Sequence, residues 1–362
     1  VAGAKSNVIY LTASHSVDLY SSAQLQANGT SGGSIYLTAP SIHTQAGSVV
    51  QANGNNGPGG MIAFSGDQIT VVGSIAANGT DGGAITMIAN DGDLIIQNSV
   101  IQTNGSNGRG GSIHLSATND VTIQASAIEA TGLNHGGKIL IGNDAKNGTL
   151  PFALYATLDR YSRINAAQLD QDPNNQNGGF IETSGQTLSM MASINAGRGG
   201  MWLLDPTDVT IGSGISTGGA TATTGNFATN ITSAQGQGGV SNFNASDIQN
   251  AINAGTSITI IASGSITQSV NLSFAPASGV NVSLTYDNRT GTAKAITLTG
   301  TTTNTGAGNL TLNYLASGQI IINGAINSTS TGKVNVVAQT TYATNALTSC
   351  ANGACASIYS GT

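Results

Sequence analysis

The chain has 362 residues, of which 39% are hydrophobic and only 7% are Asp, Glu, Lys or Arg, and its formal net charge is −6. This hydrophobic fraction excludes a disordered chain, and fifty glycines with so little charge are unlike the composition of an ordinary enzyme. The ten basic residues are scattered, so nucleic acid is not an expected partner. The opening VAGAKSNVIY lacks a signal-peptide pattern, and we expect the chain to be the interior of a longer protein.

Paired glycines recur along the first two hundred residues. The first five pairs recur at intervals of 23 to 28 residues, which is the signature of a solenoid whose repeats bury their apolar sides against their neighbours. The pairs are Gly32 and Gly33, Gly59 and Gly60, Gly82 and Gly83, Gly110 and Gly111, Gly136 and Gly137, Gly178 and Gly179, and Gly199 and Gly200.

Apolar residues alternate at fixed distances from these pairs, as on a strand with one buried side. The first predicted inward column lies two and four residues after each pair and consists of Ile35 and Leu37, Ile62 and Phe64, Ile85 and Met87, Ile113 and Leu115, Ile139 and Ile141, Ile181 and Thr183, and Trp202 and Leu204. The residues between them are expected to face outward, namely Tyr36, Ala63, Thr86, His114 and Glu182.

Two further columns complete the repeat. A second column contains pairs such as Ile69 and Val71, and a third contains pairs such as Val50 and Ala52. Three short strands in about 25 residues predict a parallel β-helix. The Asn-Gly dipeptides that begin at Asn28, Asn53, Asn78 and Asn104 are interpreted as corners with positive φ; two-stranded hairpins are the alternative, but they leave the long period unexplained.

The repeat of glycine pairs and alternating apolar residues is interrupted between residues 143 and 177. This segment is predicted to be an irregular excursion from the β-helix of residues 1–212. It holds a local concentration of charged side chains, which we interpret as a solvated surface: Asp159, Arg160, Arg163, Asp170 and Asp172.

The segments GGFIETSG, from Gly178, and GGMWLLDPTDVTI, from Gly199, resemble the filamentous haemagglutinin-like exoproteins of bacterial two-partner secretion systems. In that family a glycine pair, an ETSG-type strand and a W-L-L-D-P run occur together. The matching residues of the run are treated as a structural motif: Trp202, Leu204, Asp205, Pro206, Val209 and Ile211.

The resemblance implies a right-handed parallel β-helix that is exported through an outer-membrane secretion pore of a Gram-negative bacterium and is then secreted or displayed at the cell surface. The function that it implies is a structural shaft segment of an adhesin fibre that attaches to host cells, glycans, other surfaces or biofilm matrix, with other copies of the chain as further partners. The alternative is the stalk of a contact-dependent toxin-delivery exoprotein. No cofactor is expected.

Residues 213–255 read as a crossing rich in Gly, Ser and Thr, with one short helix predicted at about 246–254. Strand patterns return at 256–362 without glycine pairs. They predict either further β-helix coils or an appended antiparallel β domain.

The remaining candidate chemistry is sparse. The four histidines lack metal-ligand spacing, and the carboxylates are spread over many repeats, so neither a metal site nor the active site of a β-helical polysaccharide lyase is expected. In an exported chain, the spacing of Cys350 and Cys355 permits a small disulfide loop. Sequons begin at Asn28, Asn78 and Asn104, and some similar adhesins are glycosylated at such sequences.

Overall fold

A computed structural model describes residues 7–144, 148, 150–170, 172, 175–213, 217–218, 240–341 and 347–348. The chain is a nearly all-β parallel solenoid of about 11 turns, with about 27 residues per turn and a single short helix. The predicted parallel β-helix is therefore confirmed. Among the described residues, no helix combines the length and the hydropathy that crossing a membrane requires.

The chain forms two compact units. Unit 1 comprises Val1–Gly185 and Ala192–Gly200, and unit 2 comprises Gln186–Met191 and Met201–Thr362. The strands of unit 1 are β1 (Val8–Thr12), β2 (Ser16–Leu19), β3 (Gln24–Gln26), β4 (Ser34–Thr38), β5 (Ser41–Thr44), β6 (Val49–Gln51), β7 (Met61–Gly66), β8 (Gln68–Val71), β9 (Ser74–Ala76), β10 (Ala84–Ala89), β11 (Leu94–Gln97), β12 (Val100–Gln102), β13 (Ser112–Ala117), β14 (Asp120–Gln124), β15 (Ala127–Glu129), β16 (Lys138–Ile141), β17 (Tyr155–Leu158), β18 (Arg163–Asn165), β19 (Phe180–Ser184) and β21 (Ser193–Asn195).

Three parallel sheets form the faces of unit 1. The first face runs β1-β4-β7-β10-β13-β16-β19, the second runs β2-β5-β8-β11-β14-β17, and the third runs β3-β6-β9-β12-β15-β18-β21. Equivalent residues of successive turns pair directly, so that Ile85 lies between Ile62 and Ile113. Each strand therefore hydrogen-bonds to the turns before and after it, and side chains of one type stack into columns.

The inward columns are confirmed by burial. Ile35, Ile62, Ile113, Ile128 and similar residues have 0% of their surface exposed. Glu182 lies at the outward position between Ile181 and Thr183, but its side chain is also 0% exposed. It follows Leu140 in register, and Leu140 is equally buried. The outer side of these turns is thus closed to solvent, which alternation along one strand does not reveal.

The segment 143–177 is only partly an excursion. β17 pairs with β14, and β18 pairs with β15, in the same parallel register as earlier turns. The sequence pattern was obscured because the glycine pairs at Gly136 and Gly178 are further apart than the earlier pairs and the corner between β17 and β18 is charged. Asp159 forms that corner: its Oδ1 accepts from the amide of Ala125 at 3.0 Å and from the hydroxyl of Ser162 at 2.6 Å.

The prediction of positive φ at the Asn-Gly corners is also wrong, because none of these residues has a left-handed backbone. The asparagines instead form a ladder along the solenoid. Oδ1 of each accepts the amide of the residue one turn later, at 2.7 Å for Asn28 to Asn53, 2.8 Å for Asn53 to Asn78, 2.7 Å for Asn78 to Asn104 and 2.9 Å for Asn104 to Thr131. We call these four residues the asparagine ladder.

Unit 2 contains longer strands. Its elements are β20 (Thr187–Met190), β22 (Met201–Asp205), β23 (Val209–Gly212), β24 (Thr217–Gly218), β25 (Ser241–Asn244), α1 (Ala245–Asn253), β26 (Ser257–Ile261), β27 (Ile266–Gln268), β28 (Leu272–Phe274), β29 (Asn281–Asp287), β30 (Ile296–Leu298), β31 (Thr302–Asn304), β32 (Asn309–Ala316), β33 (Ile320–Ile322), β34 (Ile326–Ser328), β35 (Val334–Thr340) and β36 (Leu347–Thr348).

The strands of unit 2 also stack in parallel, in the orders β22-β26-β29-β32-β35, β25-β23-β27-β30-β33-β36 and β28-β31-β34, while the short β24 pairs antiparallel with β25. The sequence allowed either further β-helix coils or an appended antiparallel β domain after residue 256. The described strands form β-helix coils. β25 is an additional strand that pairs in parallel with β23. Ser241, at the start of β25, accepts from the amide of Leu188 through Oγ at 3.0 Å.

Helix α1 lies where a helix was predicted. Asn244 caps its N-terminus by accepting from the amide of Ser246 at 3.2 Å, and Gly255 follows its end with φ +89°. The helix covers the open edge of β28. Gln249 Oε1 accepts from the amide of Ser273 at 2.7 Å, and Asn253 Oδ1 accepts from the amide of Ala275 at 2.6 Å. A strand edge that would otherwise be unpaired is satisfied by helix side chains.

Candidate functional site

The W-L-L-D-P run forms core and corner. Trp202 and Leu204 on β22, and Val209 and Ile211 on β23, are at most 1% exposed. Pro206 is buried at the corner, and burial raises the pKa of Asp205 to about 6. The neighbouring Asp208 accepts from the amide of Ser265 at 2.7 Å through Oδ1 and so fixes the next turn. Every described contact of these side chains supports the fold.

The charged residues of 143–177 do not converge on one site. Asp159 is a corner acceptor, whereas Arg163 forms an ion pair with Glu129 of the preceding turn. Glu129 also accepts from Gln102 Nε2 at 2.7 Å, so its carboxylate is held within the third face. Asp170 accepts from the Asn175 side chain at 3.0 Å. Arg160 and Asp172 are exposed.

The predicted modification residues have structural roles or lie outside the described chain. Asn28, Asn78 and Asn104 belong to the asparagine ladder, and the side-chain nitrogen of Asn28 donates to Gln51 Oε1 at 3.2 Å. Glycosylation at these asparagines remains a prediction. Cys350 and Cys355 lie outside the described residues, and their pairing remains a prediction as well.

The histidines are dispersed. Nδ1 of His43 lies 3.8 Å from Asp18 Oδ1, across neighbouring turns. Burial, with a contribution from the charge of Lys138, lowers the pKa of His114. Over the described ranges, no group of three or more His, Cys, Asp or Glu side chains is arranged to hold a metal ion.

A shallow groove in unit 1 was not predicted from the sequence. It has a volume of about 600 Å³ and follows the column of glycine pairs; we call it the glycine groove. Its floor is backbone, because a Cβ at Gly110 or Gly136 would lie 2.0 Å from a carbonyl oxygen of the next turn. Side chains stand on either side of this floor: Arg109, His135 and Asn177 precede the pairs, and Ser112, Lys138 and Phe180 follow them.

The groove gathers basic groups in a chain that has few of them. Arg109 and His135 occupy equivalent corner positions of successive turns, and Lys138 follows Ser112 in register. Among the described residues, none of these three basic side chains forms a hydrogen bond or an ion pair. The nearest carboxylate along the corner column, Asp81, is bonded through Oδ1 to the backbone amide of Arg109 at 2.8 Å.

The signal for this groove was present in the sequence. The segments RGGS, from Arg109, and HGGK, from His135, place basic residues immediately beside two successive glycine pairs. Their alignment is not evident from spacing alone, because the intervals between glycine pairs vary. Stacking of equivalent positions brings these residues together although they are 26 positions apart.

No family model matches the chain, and no curated protein and no solved structure matches it.

Proposed function

We propose that the chain is a structural shaft segment of a bacterial adhesin fibre, secreted or displayed at the cell surface, that mediates attachment to cells, surfaces or biofilm matrix. The observation that carries this proposal is the parallel solenoid itself, in which backbone ladders and inward apolar columns continue from turn to turn. Such repeats suit a mechanical spacer because each turn is held by its neighbours.

The polar character of the chain supports the same proposal. Its outward positions carry mostly uncharged side chains, and the distinctive motif residues serve the core and corners. We propose no catalytic role. The proposed partners are an outer-membrane secretion pore during export, glycan or matrix surfaces afterwards, and other copies of the chain in a filament.

The test uses the bacterium that encodes the chain. Antibodies raised against the purified chain should label intact cells or released fibres, and cells that lack the encoding gene should attach less well to a surface. Complementation with the unchanged gene should restore attachment. Labelling only after the cells are permeabilised, or unchanged attachment without the gene, would contradict the proposal. Intact attachment combined with lost killing of neighbouring cells would favour the toxin-delivery stalk.

A further inference from the structure

We propose that the glycine groove of unit 1 binds an acidic polysaccharide, with Arg109 and Lys138 holding anionic groups of the sugar chain. This inference rests on the proposed function, because display outside the cell brings the groove into contact with such polymers. It adds a ligand class and a location to that function.

Basic residues are scarce in this chain but meet in the glycine groove. The chain has ten Lys and Arg residues among 362, yet two of them line one groove together with a histidine. Arg109 is exposed and Lys138 is half-buried, and neither has a side-chain partner among the described residues. A cation that makes no intramolecular pair is available to an anion, and a guanidinium suits a carboxylate or sulfate because it can donate two parallel hydrogen bonds.

The floor of the glycine groove is formed by backbone. The glycines expose backbone along several turns, and their amides are already used: Gly110 donates to His135 O at 3.0 Å, and Gly136 donates to Asn177 O at 2.8 Å. The floor therefore offers a smooth open track rather than an anion-binding cradle. An extended polymer fits such a track better than a compact ligand, which would need enclosing walls.

The walls provide the complementary polar and apolar contacts. Ser112 and Asn177 stand beside the basic residues, and the half-buried ring of Phe180 lies further along the same groove. Hydroxyl and amide groups can bond sugar hydroxyls, and an aromatic ring can pack against the apolar face of a sugar. This combination of spaced cations, neutral polar groups and a ring favours an acidic sugar polymer over a simple ion.

A nucleic acid is a poorer match. Affinity for nucleic acid comes largely from cations that neutralise backbone phosphates, and this groove offers two permanent cations. The chain also carries a net charge of −6, which opposes a densely charged polyanion. A polymer with anionic groups separated by neutral sugar surface meets less repulsion.

The experiment measures binding of the purified 362-residue chain to immobilised polygalacturonate, heparin and dextran, with polyglutamate as a peptide polyanion. Polygalacturonate carries carboxylates only, whereas heparin carries sulfates as well, so binding to heparin alone indicates sulfate recognition. Binding to either polymer supports the proposal. The double variant R109Q/K138Q should weaken that binding about tenfold or more, because it removes two charge-assisted contacts. The matched variant R160Q/K333Q makes the same charge change outside the groove and should bind as the unchanged chain does.

Several outcomes would overturn the inference. They are equal loss in the two double variants, equal binding to dextran, tighter binding to polyglutamate than to both acidic sugars, or no binding to either acidic sugar. Thermal unfolding of both variants checks that the solenoid is intact; if R109Q/K138Q is destabilised, the milder R109K/K138R should retain binding. If the groove binds no acidic sugar, surface labelling and attachment of the cells should still be observed. Failure of the groove proposal is therefore distinguishable from failure of the proposed shaft.

Discussion

Apart from Gly199, whose φ is +69°, the paired glycines are required for space rather than for backbone freedom. A Cβ at Gly60 would lie 1.9 Å from the carbonyl oxygen of Gly33, and one at Gly32 would lie 2.1 Å from that of Ala52. These neighbours are backbone atoms of adjacent turns and have little freedom to move. Any larger residue must push the turns apart and weaken the hydrogen bonds between them.

Gly60→Ala should therefore reduce the free energy of unfolding of unit 1 by about 3 kcal/mol or more. The matched control is Gly212→Ala, because the nearest atom to its added Cβ would be Ser269 Oγ at 3.7 Å. Urea unfolding followed by circular dichroism compares the two variants. Equal stabilities would show that close approach is not the reason for glycine at position 60.

At the scale of strands and turns, the alternation of apolar residues predicted the three faces because each strand buries one side. It did not predict β17 and β18, since the glycine pairs on either side of them, at Gly136 and Gly178, are further apart than the earlier pairs and the corner that connects the two strands is charged. Asp159 nevertheless serves the solenoid by bonding the amide of Ala125, a non-glycine residue with φ +45°. The charge of Asp159 led to the prediction of a solvated surface residue, whereas the corner needs a carboxylate there to accept the Ala125 amide.

The glycine groove could not be predicted from the sequence of a single turn. Its basic residues become neighbours only when Arg109 is aligned with His135, and that alignment depends on turn lengths that vary between pairs. Burial of Glu182 was equally hidden, because it depends on packing across the outer side of the sheet rather than on strand alternation. Periodicity thus predicts which side of a strand faces the core, but it does not predict what covers the other side.

The turn that contains β22 and β23 gives an element-scale prediction. Trp202 is 1% exposed, so Trp202→Ala leaves a large void and should cost about 3 to 5 kcal/mol of stability. Tyr161→Ala is the control, because Tyr161 is 77% exposed. Chemical denaturation monitored by circular dichroism gives both values. A cost at Trp202 no larger than the cost at Tyr161 would contradict its assignment to the core.

For the whole molecule, scarcity of charge means that a few carboxyls dominate the pH dependence of stability. Burial raises the pKa of Asp205 to about 6, and burial together with the charge of Asp93 raises that of Asp120 to about 6, both from 3.8. Between pH about 4 and 6 the folded chain binds more protons than the unfolded chain. The free energy of unfolding should therefore rise as the pH falls through 6 and level off below about 4.

Asp205→Asn should flatten this pH profile by on the order of 1 kcal/mol, after allowance for solvent screening. The control is Asp67→Asn, which removes an exposed carboxylate. Urea midpoints at pH 7, 6, 5 and 4 measure the effect. A stability that falls steadily on acidification over this range, or an unchanged slope in Asp205→Asn, would show that Asp205 is not the group responsible.

The asparagine ladder also bears on chemical ageing. Asn-Gly sequences deamidate when the glycine nitrogen attacks the asparagine side chain and expels ammonia. At all four ladder positions that nitrogen donates to a carbonyl of the next turn: Gly29 to Asn53, Gly54 to Asn78, Gly79 to Asn104 and Gly105 to Thr131, at 2.8 to 3.1 Å. Oδ1 of each asparagine is held as well, which fixes the orientation of the side-chain carbonyl carbon that the nitrogen would attack. The stacking that builds the solenoid thereby protects these four Asn-Gly dipeptides for as long as the turns stay folded.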